Sequence, residues 1–232
     1  MSEKPILFSG PMVRAILDGR KTVTRRVVRM PKVWESNPGA LPGLVETREG
    51  PAWSWEGCAY QMHEWLPHRA FIKCPYGQPR DRLWVRETHQ VELLGATGRG
   101  GVYDSHYAIS YKADGAEREL RYKGAHGTDP YLKASDRDSW RPSIHMPRWA
   151  CRLTLYVVSV RVERLQEISD GDCEAEGVRP SVDGNGKDWL PDETGWRRTF
   201  RQLWDSINGK RSGCAWADSP WVWRVEFKRA GG

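Results

Sequence analysis

Apolar and polar positions change period several times along the chain, and each change marks an element. Lys4 to Phe8 reads as a short strand. Pro11 follows where a first helical turn tolerates it. Met12, Val13, Ile16 and Leu17 then make one apolar stripe, and Gly19 predicts the helix stop. Over Thr22 to Val28 the period drops to two: Thr22, Thr24 and Arg26 share one face, Val23, Arg25 and Val27 the other. From Met30 to Arg80 scattered Pro, Gly and Trp break any period, which predicts a long excursion with little regular structure. "RLWVRET", Arg82 to Thr88, is the next strand, and Glu87 shares its inward face with Leu83 and Val85. Val102 to Lys112 and Arg118 to Lys123 read as a hairpin around "ADGAE", and residues 124 to 140 as loop.

The strongest strand pattern is Cys151 to Arg164. Its apolar set runs Cys151, Leu153, Leu155, Val157 and then changes parity to Val158, Val160, Val162, which predicts a bulge or bend. Ser169 reads as the N-cap of a short acidic helix ending at Gly177, followed by a polar loop over 180 to 192. Trp196, Phe200, Leu203, Trp204 and Ile207 recur at helical spacing, and Trp221 to Phe227 alternates as a closing strand. Separated strands with few helices predict one α+β domain around a small barrel, residues 1–232, with insertions at about 30–80 and 124–148.

Composition narrows the class. The 232 residues carry 36 Lys+Arg against 30 Asp+Glu, a net charge of +6, which favours anionic partners such as nucleic acid. Mean hydropathy is low at −0.69, and 13 tryptophans offset it because each buries a large area. No apolar run reaches the 18 residues that a membrane helix needs. The opening "MSEKPILFSG" lacks a signal-peptide layout, and five cysteines without a CxxC pair fit reduced thiols, so a cytoplasmic protein without membrane attachment is expected.

Familiar chemistry is scarce. Cys58, His63, His68 and Cys74 lie within one stretch but lack the close pairing of zinc ligands, so no metal is expected, nor any cofactor. There is no GxSxG, Walker or GxGxxG motif, and the glycine-rich "ATGRGG" reads as a turn. Trp34, Trp53, Trp55, Trp65, Trp140 and Trp189 lie in loops, where they either pack or stack on bases. "GRKTVTRR", Gly19 to Arg26, is the stretch with a reactive reading. A lysine three residues before a threonine brings an amine near a hydroxyl, and an amine whose proton affinity is lowered can activate that hydroxyl. Arg20, Arg25 and Arg26 supply the cations; the alternative is a basic strand end that binds phosphate or nothing.

Four stretches then line up with a known family. "ILDGRKTVTRR" resembles the G-x-K-x-x-T-x-R opening of ASCH domains. "RDRLWVRET" resembles their G-D-x-L-x-V-R-E strand, with Arg80 where glycine is usual. "VVSVRVERLQEISDGDCEAEG" is similar to their long strand and acidic helix, and "FRQLWDSING…SPWVWRVEFK" to their closing helix and strand. The long Trp-rich inserts are similar to phage and prophage members. The resemblance covers under half of the chain and implies a PUA-like β-barrel with flanking helices. It also implies one of two activities: RNA binding, or hydrolysis of N4-acetylcytidine by a lysine, a threonine and a glutamate. The lysine and threonine fall on Lys21 and Thr24, and the glutamate on Glu176, with Glu174 as the alternative register.

Under this resemblance Thr24 attacks the acyl carbon, Lys21 is its base, and Glu176 orients the lysine or helps protonate the leaving amine. Arg26 or a backbone N–H stabilises the oxyanion, and Arg20, Arg26 and Glu87 are the candidate substrate contacts. The expected substrate is a modified cytidine nucleoside or base, with RNA as a further partner. Lys21 and Thr24 are off any apolar face, so their alanine variants are expected to fold. The competing expectation is a nucleic-acid-binding module without catalysis, and a nuclease is a more distant third. The acyl group, the choice between nucleoside and polymer, and the oligomeric state are left open.

Overall fold

The computed structural model describes residues 1–29, 42–47, 50–61, 64–125, 128–131, 139–180 and 195–231, with backbone alone over the strands between 42 and 71. In chain order the elements are β1 (Glu3–Leu7), α1 (Gly10–Leu17), β2 (Val23–Val27), β3 (Pro42–Thr47), β4 (Gly50–Gln61), β5 (Glu64–Ile72), β6 (Arg82–Arg86), β7 (His89–Arg99), β8 (Val102–Tyr111), β9 (Glu117–Ala125), β10 (Thr154–Arg164), α2 (Asp170–Ala175), α3 (Gly195–Asn208) and β11 (Trp221–Arg229). The class is α+β, rich in sheet. The strands neighbour one another as β1-β6-β10-β11-β2, β3-β4-β5 and β7-β8-β9, and among the described residues no pairing closes the first sheet into a barrel. None of the described helices is long and apolar enough to cross a membrane.

The chain divides into two units, one of Met1–Lys4, Arg20–Arg82 and Tyr156–Lys228, the other of Pro5–Gly19, Leu83–Leu155 and Arg229–Gly232. The first has an apolar cluster of Leu165, Ile168, Cys173, Val178, Phe200, Trp204, Trp216 and Val222, with Trp196 and Leu203 against it. This is the helical stripe read from the sequence, except that Ile207 points to solvent. β2 runs antiparallel to β11, with Thr24 opposite Val225 and Arg26 opposite Trp223. The second unit gathers Val91, Tyr107, Ile109, Tyr111, Met146 and Ala150 beneath the β7-β8-β9 sheet.

Two sequence expectations are corrected. Residues 42–47, 50–61 and 64–72 are not irregular: β3, β4 and β5 form an antiparallel sheet with continuous register, such as Val45 opposite Ala52 and Tyr60 opposite Trp65. Prolines hid the pattern. Pro42 opens edge strand β3, Pro67 lies in edge strand β5, and Pro51 sits beside the end of β4, all positions where a missing N–H is tolerated.

The parity change expected in β10 is also absent from its burial. Leu155 and Val157 are buried, Val158 is exposed, and the next buried residue is Glu163, on the same odd positions. An ionic partner draws that carboxylate inward, so burial follows charge pairing where the apolar pattern pointed to Val162. The glycine-rich stretch does turn at Gly100 and Gly101, both at positive φ, but β7 already runs through Ala96 to Arg99 before it.

Arg80 adopts φ +79°, the left-handed region that costs a side-chain-bearing residue about 1–2 kcal/mol. It closes a turn in which Asp81 accepts from the backbone N–H groups of Ser2 and Gln78.

Candidate active site

Local rules deliver the pieces. Helix α1 has Ser9 at its N-cap and Pro11 in its first turn, and it ends at Asp18 with Gly19 at φ +75°. That left-handed glycine sends the chain off as Arg20-Lys21-Thr22. Helix α2 is six residues long, too short to persist alone. Ser169 Oγ accepts from the Asp172 N–H at 3.1 Å and caps its start.

Its last carbonyls are capped from the "GRKT" segment. The Thr22 N–H donates to Ala175 O at 2.8 Å, Lys21 Nζ to Glu176 O at 2.9 Å, and Arg20 Nη1 to Gly177 O at 3.1 Å. Three successive residues thus satisfy three successive carbonyls that a helix end leaves open. Two of the donors are cations at the negative end of the helix dipole.

Lys21 is 2% exposed and its amine has three acceptors: Val23 O at 2.8 Å, Glu176 O, and Glu176 Oε2 at 2.6 Å. Burial pushes its proton affinity below the usual lysine range. The Glu176 carboxylate opposes that, and the Arg26 and Arg25 charges add to it. Thr24, 3% exposed, follows on β2. The helix register favours one glutamate: Glu176 is buried against Lys21, and Glu174 faces solvent.

Arg25 connects this pair to a wider ionic cluster. Its Nε donates to Glu163 Oε1 at 2.7 Å, its Nη2 to Asp172 Oδ2 at 2.6 Å, and its Nη1 reaches Glu176 Oε1 at 3.4 Å. Asp172 and Glu176 lie four residues apart, on one face of the α2 turn. Arg224 donates to Asp172 Oδ1 at 2.8 Å and to Glu226 at 3.2 Å, and Arg161 donates to Glu163 at 2.7 Å. Burial opposes the Asp172 charge, but Arg224 and Arg25 override it and hold this carboxyl below its usual range.

The structure therefore brings Lys21, Glu176 and Arg20 together beside β2, which carries Thr24 and the half-buried Arg26. Glu87 belongs to the second unit. It is 1% exposed, and both its oxygens accept from Arg152, Oε1 from Nε and Oε2 from Nη2, each at 2.9 Å. Sequence reasoning named Arg25 only as one of the cations around Lys21, and it missed Glu163 and Asp172 as site residues. The signal was present: Arg25 alternates with Thr24 on a strand, Glu163 keeps the buried parity of β10, and Asp172 precedes Glu176 by one helical turn.

The expectation that Lys21 can be removed at no cost to folding is corrected by its burial. An alanine there leaves the Glu176 carboxylate and two carbonyls without their donor. Of the cysteine and histidine group, Cys74 is a buried free thiol, its proton affinity pushed up to about 11 by burial. The Cys58, His63 and His68 side chains lie outside the described residues, as do those of Trp34, Trp53, Trp55, Trp65 and Trp189. The chain matches no family model, no curated protein and no solved structure.

Proposed function

We propose that this protein is an amidohydrolase that removes acyl groups from N4-acylated cytosine nucleosides or bases, on a PUA-like barrel of the ASCH type. One observation carries the reading: a desolvated lysine held 2.6 Å from a buried glutamate, three residues before a buried threonine on β2. Amide hydrolysis needs a nucleophile, a proton shuttle and a dry setting for the developing charge. Arg80, left-handed where the family motif has glycine, is consistent with the same resemblance.

The chemistry then runs as follows. Lys21 acts as a base only when its amine is free, and burial favours that state. The free amine takes the Thr24 hydroxyl proton as the oxygen bonds to the acyl carbon. The carbonyl oxygen becomes an oxyanion, with Arg26 as the nearby cation on β2. The C–N bond breaks, and the cytosine amine leaves with the proton that Lys21 gained, with Glu176 as its relay. Water then attacks the threonine ester and gives its proton to the same lysine, which passes it to the departing Thr24 oxygen, so that the carboxylic acid, the Thr24 hydroxyl and the free amine are all restored. Glu87 is engaged by Arg152 through both its oxygens.

A second reading draws on the same lysine. All three ammonium protons already have protein acceptors, as in a structural clamp, and a clamp in a basic protein suits a nucleic-acid-binding module without catalysis. Incubation with N4-acetylcytidine, followed by chromatography for cytidine, separates the two. Turnover supports the hydrolase. Its absence with every acylated cytosine compound, together with RNA binding that weakens steeply with salt, supports the module.

A further inference from the structure

We infer that Arg25 is the positioning residue of this site: it sets where the Glu176 carboxylate lies against the Lys21 amine. The inference rests on the hydrolase reading for its kinetic consequence and on geometry for the rest. The Arg25 side chain is 0% exposed, yet it carries the charge that faces three carboxylates, Glu163 from β10 and Asp172 and Glu176 from the α2 turn. A buried guanidinium with that many partners is a fixed point, because its planar fork admits few alternative geometries.

Arg25 spans the length of α2. It holds Asp172 in the first turn, and it reaches Glu176 at the C-cap, so a helix too short to persist alone takes its place from this side chain. The two oxygens of Glu176 are divided: Oε1 faces Arg25, which leaves Oε2 to Lys21 at 2.6 Å. Without Arg25 the carboxylate can turn both oxygens to the lysine, and the anions Glu163 and Asp172 lose the cation between them and the amine.

The charged groups that face Lys21 are Glu176 from the end of α2 and Arg25 and Arg26 from β2. Arg25 is faced in addition by Glu163, and Arg161 and Arg224 flank the cluster on β10 and β11. Removing Arg25 therefore strips a cation from a lysine that stays buried, and it exposes that lysine to more negative charge. Both changes raise the proton affinity of Lys21.

The experiment reads Lys21 directly. Protein labelled with ¹³C at lysine Cε is titrated by NMR, with Lys21→Met assigning the resonance, in the parent, Arg25→Met and Arg25→Lys. Arg25→Met is expected to move the Lys21 midpoint upward. Arg25→Lys, which restores the charge without the fork, is expected to bring it back towards the parent. On N4-acetylcytidine, Arg25→Met is expected to lose about 10²-fold in kcat, the scale of a misplaced reacting group, with the acidic limb of the pH profile, where activity rises with pH, displaced upward. Arg25→Gln replaces the methionine variant if the latter does not fold.

A Lys21 midpoint that stays put in the folded Met or Gln variant overturns the inference, as does a lysine variant displaced as far as the neutral one. The two readings fail separately. A parent without turnover whose Lys21 midpoint still responds to Arg25 removes the hydrolase and keeps the positioning role. A turning-over parent with an unresponsive midpoint does the reverse.

Discussion

Glu176 and Glu87 are both buried carboxylates that accept from a cation, one in each unit. Glu176 meets Lys21 through one oxygen. Glu87 meets Arg152 through both, and Asp114 takes the other edge of the same guanidinium with two bonds of 2.9 Å. Arg152 also lies 4.1 Å over the Tyr111 ring. Burial works against the Arg152 charge, yet the hydrogen bonds it donates to Glu87 and Asp114 raise its proton affinity above the usual arginine value, whereas burial lowers that of Lys21. Two similar anions thus sit beside cations of opposite capability. An arginine forked between carboxylates cannot release a proton, and a desolvated lysine can. The comparison teaches that burial of an ion pair says little about chemistry until the cation is named.

The strongest way to break the comparison is to remove Glu87. Glu87→Ala leaves the half-buried Arg152 with Asp114 alone, and a loss of about 3 kcal/mol in urea unfolding is expected. A loss within the ordinary range of surface variants would show that the pair is dispensable.

Next comes the active pair. Lys21→Ala, Thr24→Ala and the double variant are each expected to fall by about 10²-fold or more in kcat/KM, with little further loss in the double, because members of one catalytic unit are not additive. Lys21→Ala is also expected to lose about 1–3 kcal/mol of stability, for the acceptors it strands. Within the acidic helix, Glu176→Ala is expected to lose activity and Glu174→Ala to keep most of it. A Thr24→Ala protein with parental turnover ends the nucleophile assignment.

A third test uses pH. His89, with no exposed surface, lies where the charged ring is disfavoured: burial lowers its proton affinity below the usual value near 6.5, and the Arg141 and Arg86 charges add to this. The folded value lies below the unfolded one, so the unfolded chain binds the extra proton. Stability is therefore full above about pH 6.5 and falls as pH drops below it, by at most about 1.4 kcal/mol per pH unit. Denaturant midpoints of the parent and His89→Gln from pH 8 to pH 5 check this, and a variant with the parental slope removes His89 as the cause.

The smallest expected effect is at the turn before β6. Arg80→Gly relieves the left-handed strain at φ +79° but adds unfolded-state freedom, so a net gain of about 1 kcal/mol or less is expected. A destabilised glycine variant would mean that the arginine side chain contributes more than its backbone costs.

Periodic elements were legible from the chain. Helix α1 with its Pro11 start and Gly19 stop, the Ser169 cap, the α3 stripe and the alternating β11 all follow from spacing, because a single exposed-to-buried gradient decides each of them. The β3-β4-β5 sheet was not legible, since Pro and Gly interrupt alternation wherever edge strands tolerate them. Glu163 was misread for a related reason: hydropathy assigns inward positions to valines, and it is blind to a carboxylate that a buried arginine draws in.

The sequence by itself determined which residues could react. It put a lysine three positions before a threonine on a short turn among arginines, and an acidic helix elsewhere in the chain. Only the tertiary structure decided which glutamate meets that lysine, because the choice between Glu174 and Glu176 is a rotation about the helix axis. That rotation is set by Arg25, Arg224 and the carbonyl caps from Arg20, Lys21 and Thr22, none of which is a neighbour of α2 along the chain. Long-range charge pairing in a dry interior carries no periodic trace in one dimension. Only when the strand and the helix are brought together does the lysine lose its water and gain its carboxylate.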